Sequence, residues 1–379
     1  MRRDGSATSF TTITASAGLA LLLAACSPFQ SPQRVDPGQS GAQPSPSSSK
    51  PPEPQRVPAA RQWHEGDFQY GLQTYVHRVG SGPADRNTAE ILDYVIGLGA
   101  NSIAFSFPIY TDGVRPTKVY AGKETPSPQE LERMVTEAKK RGLRVMVRPL
   151  IDEANLKTTP GGWRGSIHPP DVAGWFGSYQ KALKPFLAAS ARGKADEFVL
   201  ATELSSLQNQ RTKWRTVDTH AARLFPGTLS FTFNWDAMDE KKARLGDELG
   251  LDLYFAVHLG DSASVEQLTN ALEDVLAAKP KSLRANMVVQ EVGIAAQSGM
   301  YRHPWFWGDE ARGPIKPKIQ ANWFTAACRA VKHADLDGLY YWMVDGNSDP
   351  SAIDPAKQPP AGFVGRPAEA SIKACFSED

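Results

Sequence analysis

From residue 68 onward, short apolar runs alternate with longer segments in which apolar residues recur every three or four positions. Eight of the runs have the length of strands, and seven segments between them have helical periodicity. The runs are FQYGLQTYVH, NSIAFSFPIY, LRVMVRPLI, EFVLATEL, GTLSFTFNW, LDLYFAV, MVVQEVGI and DGLYYWMV. Continuous apolar runs separated by helices predict parallel strands that are covered on both faces.

Eight strands with helical segments between them predict an α/β fold, a single (β/α)8 TIM barrel over residues 62–379. These 318 or so residues suit one barrel with insertions. Ser127-Pro128 followed by Glu130 predicts a capped helix start over 127–141. A doubly wound open sheet is the main alternative. It is disfavoured because no glycine-rich phosphate-binding turn follows the first strand.

The N-terminal residues predict export. Arg2 and Arg3 precede the apolar stretch AGLALLLAA, which is too short to span a bilayer and is typical of a signal peptide. The stretch ends in Leu-Ala-Ala-Cys26, which resembles the processing site of bacterial lipoproteins. We therefore predict a lipoprotein signal peptide over 1–25 and lipidation of Cys26. An ordinary secretory signal with a chance cysteine is the alternative.

Residues 26–61 are rich in proline, serine, glutamine and glycine and nearly lack apolar side chains. Such a composition cannot bury a core, so we predict a disordered linker behind the lipid anchor. The expected location is therefore extracytoplasmic, with the folded domain anchored to the bacterial cell membrane by its lipid.

Charge and motifs exclude several classes of function. Residues 1–60 hold five basic and three acidic groups, so of the formal +1 of the chain the remainder carries about −1. This balance gives no reason to expect a nucleic-acid partner. The seven histidines lack HxH or HxxxH spacing, and no GxSxG motif occurs, which disfavours a metal site and serine hydrolysis. We expect a monomer without a cofactor.

Two cysteines remain once Cys26 is assigned to the lipid. Cys328 lies in a predicted helix and Cys375 lies near the C-terminus. In an exported protein this pair permits a disulfide that would pin the tail to the helix, and two free buried thiols are the alternative.

Glutamates end two of the predicted strands. Glu203 ends the fourth strand and Glu291 ends the seventh, about 88 residues further on. The carboxyl ends of all barrel strands meet at one rim, so these side chains are predicted to share a pocket. Other polar or aromatic residues fall at the same ends, namely Arg148, Thr202, Asn234, Trp235, Tyr254, His258, Trp342 and Asp345.

Two carboxyl groups across a pocket are what the cleavage of a glycosidic bond needs. One is ionised and attacks the anomeric carbon, while the other is protonated and releases the leaving oxygen. The ionised group raises the pKa of its neighbour by repulsion. A single glutamate at a strand end is more often a solvated loop residue, so the prediction rests on the pair.

The remaining residues of the rim have predicted supporting roles. Arg148 would either keep the nucleophile ionised or serve as a structural ion-pair partner, and Tyr254 would donate a hydrogen bond to Glu291. Thr202 or Asn234 would bind a sugar hydroxyl. Flat rings would stack on sugars or else pack within the rim and its loops, and these are Trp163, Trp235, Trp305, Trp307 and Trp342. His258 is expected to be structural.

The order of several short motifs resembles Glycoside Hydrolase Family 113, a β-mannanase-like group within the retaining (β/α)8 clan. The motifs are LGAN101, VMVR148-P149, G162-W-x-G165, W175-F-x-x-Y179, A-T202-E203-L, F-N234-W235, D252-L-Y254-F and Q-E291-V-G293. The resemblance implies Glu203 as acid/base and Glu291 as nucleophile. Arg148 stands where the family often has lysine, and Ala201 stands where it has glycine. The resemblance therefore does not carry the substrate over.

Two hypotheses follow. The first is a cell-surface retaining β-glycoside hydrolase acting on a β-linked, mannan-like polysaccharide or oligosaccharide. The second is a non-catalytic carbohydrate-binding lipoprotein on the same barrel. The presence of both glutamates favours the first. Sugar, linkage, endo or exo action, and hydrolysis or transglycosylation stay open.

Overall fold

A computed structural model describes residues 59–238, 248–306 and 313–377. The predicted signal peptide, Cys26 and most of the predicted linker lie outside the described residues. Trp307 and most of a helix predicted over 237–245 also lie outside them.

The described residues form nine strands, and eight of these make a closed parallel barrel. The first strand pairs in parallel with both the second and the last, which closes the ring. The predicted single (β/α)8 barrel is therefore confirmed. The strands are β1 (Gln69–Tyr75), β2 (Ser102–Thr111), β3 (Val119–Tyr120), β4 (Arg144–Ile151), β5 (Glu197–Thr202), β6 (Thr228–Asn234), β7 (Glu248–Asp252), β8 (Met287–Val292) and β9 (Gly338–Asp345).

Helices follow the barrel strands and cover their outer faces. They are α1 (Thr88–Gly97), α2 (Pro128–Lys140), α3 (Val172–Gly193), α4 (Arg211–Ala222), α5 (Val265–Ala277), α6 (Lys281–Arg284), α7 (Pro317–His333) and α8 (Pro367–Ser377). Helix α2 begins with the predicted capping box between Ser127 and Glu130. In the described segments, none of the helices combines the length and apolar character needed to cross a bilayer.

Two sequence-based expectations were wrong, and one helix was not predicted. The strand predicted over 251–257 runs instead over Glu248–Asp252, and the apolar residues after it pack as a loop. The two-residue β3 pairs antiparallel with β2, although no hairpin was predicted, because so short a strand has no periodicity. The C-terminal tail forms α8, whose buried Ala368, Ile372, Cys375 and Phe376 have helical spacing.

The barrel interior is largely polar, contrary to the reading of its strands as apolar throughout. Arg144 contacts Glu197 at 2.8 Å and Glu248 at 3.4 Å near the N-terminal ends of the strands. The Gln290 amide donates to Glu197 at 2.7 Å, which continues this network upward. Most of the apolar strand residues instead join the large hydrophobic core that the helices complete.

Glycines make room for the large interior side chains. A Cβ at Gly71 would lie 2.2 Å from the Tyr340 ring, and one at Gly250 would lie 2.4 Å from Oε1 of Gln290. Both strands therefore need glycine there, since neither neighbour is free to move within the packed barrel.

A disulfide joins Cys328 in α7 to Cys375 in α8, with the two Cα atoms 6.0 Å apart. The two residues are 47 positions apart in the sequence, and both are buried. The bond ties the C-terminal helix to the helix that precedes the last barrel strand.

Removing this disulfide is expected to lower the free energy of unfolding by about 2–4 kcal/mol, because a long loop in the unfolded chain becomes free. The test is urea unfolding of wild type and of the double variant Cys328→Ala, Cys375→Ala. Reducing agent should destabilise wild type and leave the double variant unchanged. Equal stability of the two oxidised proteins would contradict the expectation.

Candidate active site

Glu203 follows β5 in a left-handed backbone conformation, with φ of 53°. Such a conformation is unfavourable for a residue with a side chain and persists only where its surroundings hold it. The Glu203 N–H donates to the Thr232 carbonyl at 3.0 Å, and the Ser205 N–H donates to the Glu203 carbonyl at 2.8 Å. These bonds end the strand sharply and fix the carboxylate at its C-terminal end.

Glu291 is placed by an irregularity in β8. The pairing of β8 with β9 shifts register between Val289 and Val292. As a result two consecutive side chains, Gln290 and Glu291, both make contacts inside the barrel, where a regular strand would alternate them. Gln290 bonds downward to Glu197, and Glu291 bonds at the rim to Arg148 and Tyr254.

Arg148 lies beneath Glu291 as a fully buried fork. Its Nη1 donates to Glu291 at 2.5 Å, and its Nη2 donates to Asp252 on β7 at 2.5 Å. Tyr254 donates its hydroxyl to the other oxygen of Glu291, as expected from the sequence. Arg148 has no exposed surface, which supports its ion-pair role over a direct sugar contact.

The two glutamates sit in different electrostatic settings. Burial raises the pKa of Glu203 to about 7, and repulsion from Glu291 adds to this while Arg164 opposes it. Burial also raises the pKa of Asp252 well above its usual range, against the attraction of Arg148. Glu203 is thus able to hold a proton near neutral pH, whereas Glu291 receives two hydrogen bonds.

A second arginine reaches the site from the loop after β4. Arg164 Nη1 donates to Glu203 at 3.1 Å, and Arg164 Nη2 lies 3.4 Å from Glu153. Its Nε donates to the Ile151 carbonyl at 3.1 Å. Glu203 therefore faces a guanidinium group just as Glu291 does.

Three further predicted site residues lie where two neighbouring strands end. Thr202 ends β5, Asn234 ends β6, and Trp235 follows directly. Thr202 is buried, and its hydroxyl has no hydrogen-bond partner within the described residues. Asn234 is half-buried and accepts from the Trp235 N–H at 3.0 Å. The Trp235 ring packs edge-on against Phe255 at 4.9 Å.

The other predicted aromatic residues are divided around the rim. Trp342 is half-buried beside Tyr75, with ring centres 5.9 Å apart, and a cis peptide bond joins it to Met343. The half-buried Trp163 ring occupies the space where Gly165 would carry a Cβ. Trp305 is 41% exposed on the loop after β8.

Two predicted strand-end residues have no evident part in the pocket. His258 is exposed in the loop after β7. Asp345 accepts from the Asn347 N–H at 3.0 Å and from the Ser348 hydroxyl at 2.5 Å, so it shapes its own loop. Across 59–238, 248–306 and 313–377, no group of three acidic, histidine or cysteine side chains is arranged for a metal.

Sequence reasoning missed the roles of Asp252, Glu153 and Arg164 in the site. Asp252 was hidden because the strand that it ends was predicted to continue to residue 257. Arg164 and Glu153 belong to a long loop, whose path no periodic pattern indicates. The one signal for Arg164 was its place inside the GGWRG segment, between glycines that mark a tight backbone.

A closed (β/α)8 barrel with carboxylates at its fourth and seventh strands has the architecture of a glycoside hydrolase. The sequence profile of Glycoside Hydrolase Family 113 matches residues 74–352. The chain therefore belongs to Glycoside Hydrolase Family 113. Among curated proteins, none matches the chain significantly.

Solved structures show the same fold. A GH113 β-1,4-mannanase has a TM-score of 0.70 at 19% identity, over 83% of this chain and 100% of that one. The GH113 β-mannanase AaManA from Alicyclobacillus acidocaldarius, in complex with ManMIm, has a TM-score of 0.63 at 18% identity. The match covers 82% of this chain and 97% of AaManA.

Replacing Arg148 with methionine is expected to lower the free energy of unfolding by about 3–5 kcal/mol, because two buried carboxylates lose their shared cation. The matched control is Arg133→Met, which removes an arginine that pairs with Asp85 but is 59% exposed. That control should cost less than about 1 kcal/mol. Urea unfolding at pH 7 makes the comparison, and equal losses would contradict the structural role of Arg148.

Proposed function

We propose that this protein is a retaining β-glycoside hydrolase in which Glu203 is the acid/base and Glu291 is the nucleophile. The observation that carries the proposal is the unlike setting of the two carboxyl groups. Burial favours a proton on Glu203, whereas Arg148 and Tyr254 both donate to Glu291. One rim therefore offers a proton donor and an oriented carboxylate, which double displacement requires.

In the first half of the reaction, a Glu291 oxygen attacks the anomeric carbon of the bound sugar. The bond from that carbon to the glycosidic oxygen breaks, and the Glu203 proton passes to the departing oxygen. The products are a shortened glycan and a glycosyl ester on Glu291. The ester removes the charge of Glu291, so Arg148 then faces Asp252 as its remaining buried carboxylate.

In the second half, the ionised Glu203 takes a proton from water, whose oxygen attacks the anomeric carbon. The ester bond to Glu291 breaks and returns a carboxylate to the Arg148 and Tyr254 donors. Two displacements on opposite faces leave the sugar with its original configuration. Loss of the Glu291 charge in the ester removes one source of repulsion, which favours the ionised Glu203 that this step needs.

The proposed substrate is a β-linked, mannan-like polysaccharide or oligosaccharide. This rests on the fold shared with proteins named as a β-1,4-mannanase and a β-mannanase. Trp342 and Trp163 supply half-buried indole faces of the kind that stack on the apolar side of a pyranose. Asn234, half-buried at the end of β6, supports a polar contact to a sugar better than Thr202 does, because the Thr202 hydroxyl is buried.

The roles of the two glutamates are tested with a soluble 59–379 protein on a panel of β-1,4-linked mannan, glucan and galactan oligosaccharides. Glu291→Ala should lower turnover at least about a thousandfold, because covalent catalysis is lost. Azide should rescue Glu291→Ala on a 2,4-dinitrophenyl β-mannobioside and give the α-glycosyl azide. Azide should rescue Glu203→Ala and give the β-glycosyl azide.

Undiminished turnover by Glu291→Ala on a cleaved oligosaccharide would refute the assignment. So would the same azide anomer from both variants, since the two residues act on opposite faces. Binding of panel oligosaccharides by wild type with no turnover would instead favour the non-catalytic carbohydrate-binding alternative. Glu132→Ala is the matched control, because that carboxylate pairs with Arg192 between the outer helices α2 and α3, and the variant should keep wild-type activity.

We further propose that the full chain is a monomer held outside the cell by a lipid on Cys26. The support is the Leu-Ala-Ala-Cys26 segment and the linker that follows it. In a bacterial host fed labelled palmitate, wild type should carry the label and sediment with membranes, whereas Cys26→Ser should do neither. The Cys328→Ala, Cys375→Ala variant is the control and should keep the label. Equal labelling of Cys26→Ser would refute the anchor.

A further inference from the structure

Arg164 is held at three points in the loop between β4 and α3. Its Nε donates to the Ile151 carbonyl at 3.1 Å, and its two terminal nitrogens face Glu203 at 3.1 Å and Glu153 at 3.4 Å. The side chain is only 16% exposed. The guanidinium group is thus a fixed cation between two carboxylates, and one of these is the proposed acid/base.

The turn that carries Arg164 is itself fixed. The Trp163 N–H donates to the Ser166 hydroxyl at 3.1 Å, and the Ser166 N–H donates to the Trp163 carbonyl at 2.9 Å. The Trp163 ring fills the space above Gly165. The Ser206 hydroxyl, three residues after Glu203, donates to the Ile167 carbonyl at 2.5 Å. The turn and the Glu203 segment therefore form one braced unit.

Glu153 offsets the effect that the Arg164 charge has on the protonation of Glu203. Glu203 must carry a proton in one half of the reaction and a charge in the other. A lone arginine in contact with it would favour the charge throughout and weaken the acid. Glu153 on the far side of the guanidinium opposes that effect, because its repulsion favours the protonated form of Glu203.

We propose that Arg164 is a positioning residue that holds the Glu203 carboxyl group in both of its protonation states, with Glu153 setting how strongly the Arg164 charge acts on it. This inference rests on the proposed role of Glu203 as acid/base. It adds that Arg164 and Glu153 act on Glu203 with opposite charges. Arg164 favours the ionised form that one half of the reaction needs, and Glu153 favours the protonated form that the other half needs. In each half, the Arg164 N–H keeps a Glu203 oxygen directed, whether that oxygen belongs to a carboxyl or a carboxylate.

The other charged groups around Glu203 come from the barrel strands and bear on its titration. Repulsion from Glu291 on β8 raises the pKa of Glu203, and the positive charge of Arg148 on β4 lowers it, within a setting where burial has the largest effect. The further titratable groups that interact with this cluster are Asp252 from β7, Tyr254 from the loop after it and Tyr75 from β1. None of these is altered in the variants below.

Neutral substitutions of Arg164 and Glu153 are expected to shift the pKa of Glu203 in opposite directions. Arg164→Gln removes a positive charge, so the pKa of Glu203 should rise by about one unit or more. Glu153→Gln removes a negative charge, so that pKa should fall from its value of about 7. The titration is read by infrared difference spectra of each protein against its own Glu203→Gln counterpart. The alkaline limb of kcat/KM on the fastest-cleaved panel oligosaccharide should move the same way.

Lys157→Gln is the matched control for loss of a positive charge. Nζ of Lys157 lies 3.7 Å from Oε2 of Glu153, and the side chain is 55% exposed. Its removal should therefore leave the pKa of Glu203 within a few tenths of a unit of the wild-type value. Arg164→Lys keeps the positive charge but lacks the planar guanidinium group. The pKa of Glu203 should therefore stay close to the wild-type value, while kcat should remain low. Circular dichroism and thermal unfolding check that each variant is folded.

Opposite shifts for Arg164→Gln and Glu153→Gln support the inference, and shifts in one direction or no shift overturn it. If Arg164→Gln does not fold, Glu153→Gln and Arg164→Lys still decide, because an unmoved Glu203 titration in Glu153→Gln or an undiminished kcat in Arg164→Lys overturns the inference. Failure of the proposed function looks different. In that case Glu203→Gln would retain turnover, whatever the infrared titrations of the loop variants showed.

Discussion

The fork that Arg148 makes between Glu291 and Asp252 is the interaction on which the site depends. It brings β4, β7 and β8 together inside the barrel and leaves a buried cluster with more carboxylate than guanidinium. Such a cluster costs free energy of desolvation, so its retention is better explained by chemistry than by stability. Repulsion from Glu291 in this cluster also adds to the effect of burial in raising the pKa of Glu203.

The polar barrel interior supports that fork from below. Arg144, Glu197 and Gln290 form a connected network, and the irregularity in β8 lets Gln290 belong to it while Glu291 turns to the rim. Each glutamate is therefore placed by a departure from regular strand geometry. Glu203 depends on a left-handed backbone, and Glu291 depends on a shifted register. Departures of this kind are common where strands end at an active site.

The sequence predicted much of this arrangement but not its charge balance. Eight apolar runs with helical segments between them gave the barrel, and the position of Glu203 and Glu291 along it followed from counting strands. Asp252 was missed because an apolar run need not end where its strand ends. Arg164 and Glu153 were missed because their proximity to Glu203 depends on the path of a loop. The disulfide between Cys328 and Cys375 was left open, since spacing in sequence does not show which helices pack together.

In the proposed mechanism, Glu203 and Glu291 act as the two carboxyl groups of a retaining double displacement. The most direct measurement is the anomeric configuration of the first product. Proton NMR records it in the minutes after wild-type protein is mixed with a cleavable β-linked oligosaccharide. With a retaining mechanism, the new reducing end should appear first as the β-anomer and only later equilibrate with the α-anomer. First appearance of the α-anomer would contradict it.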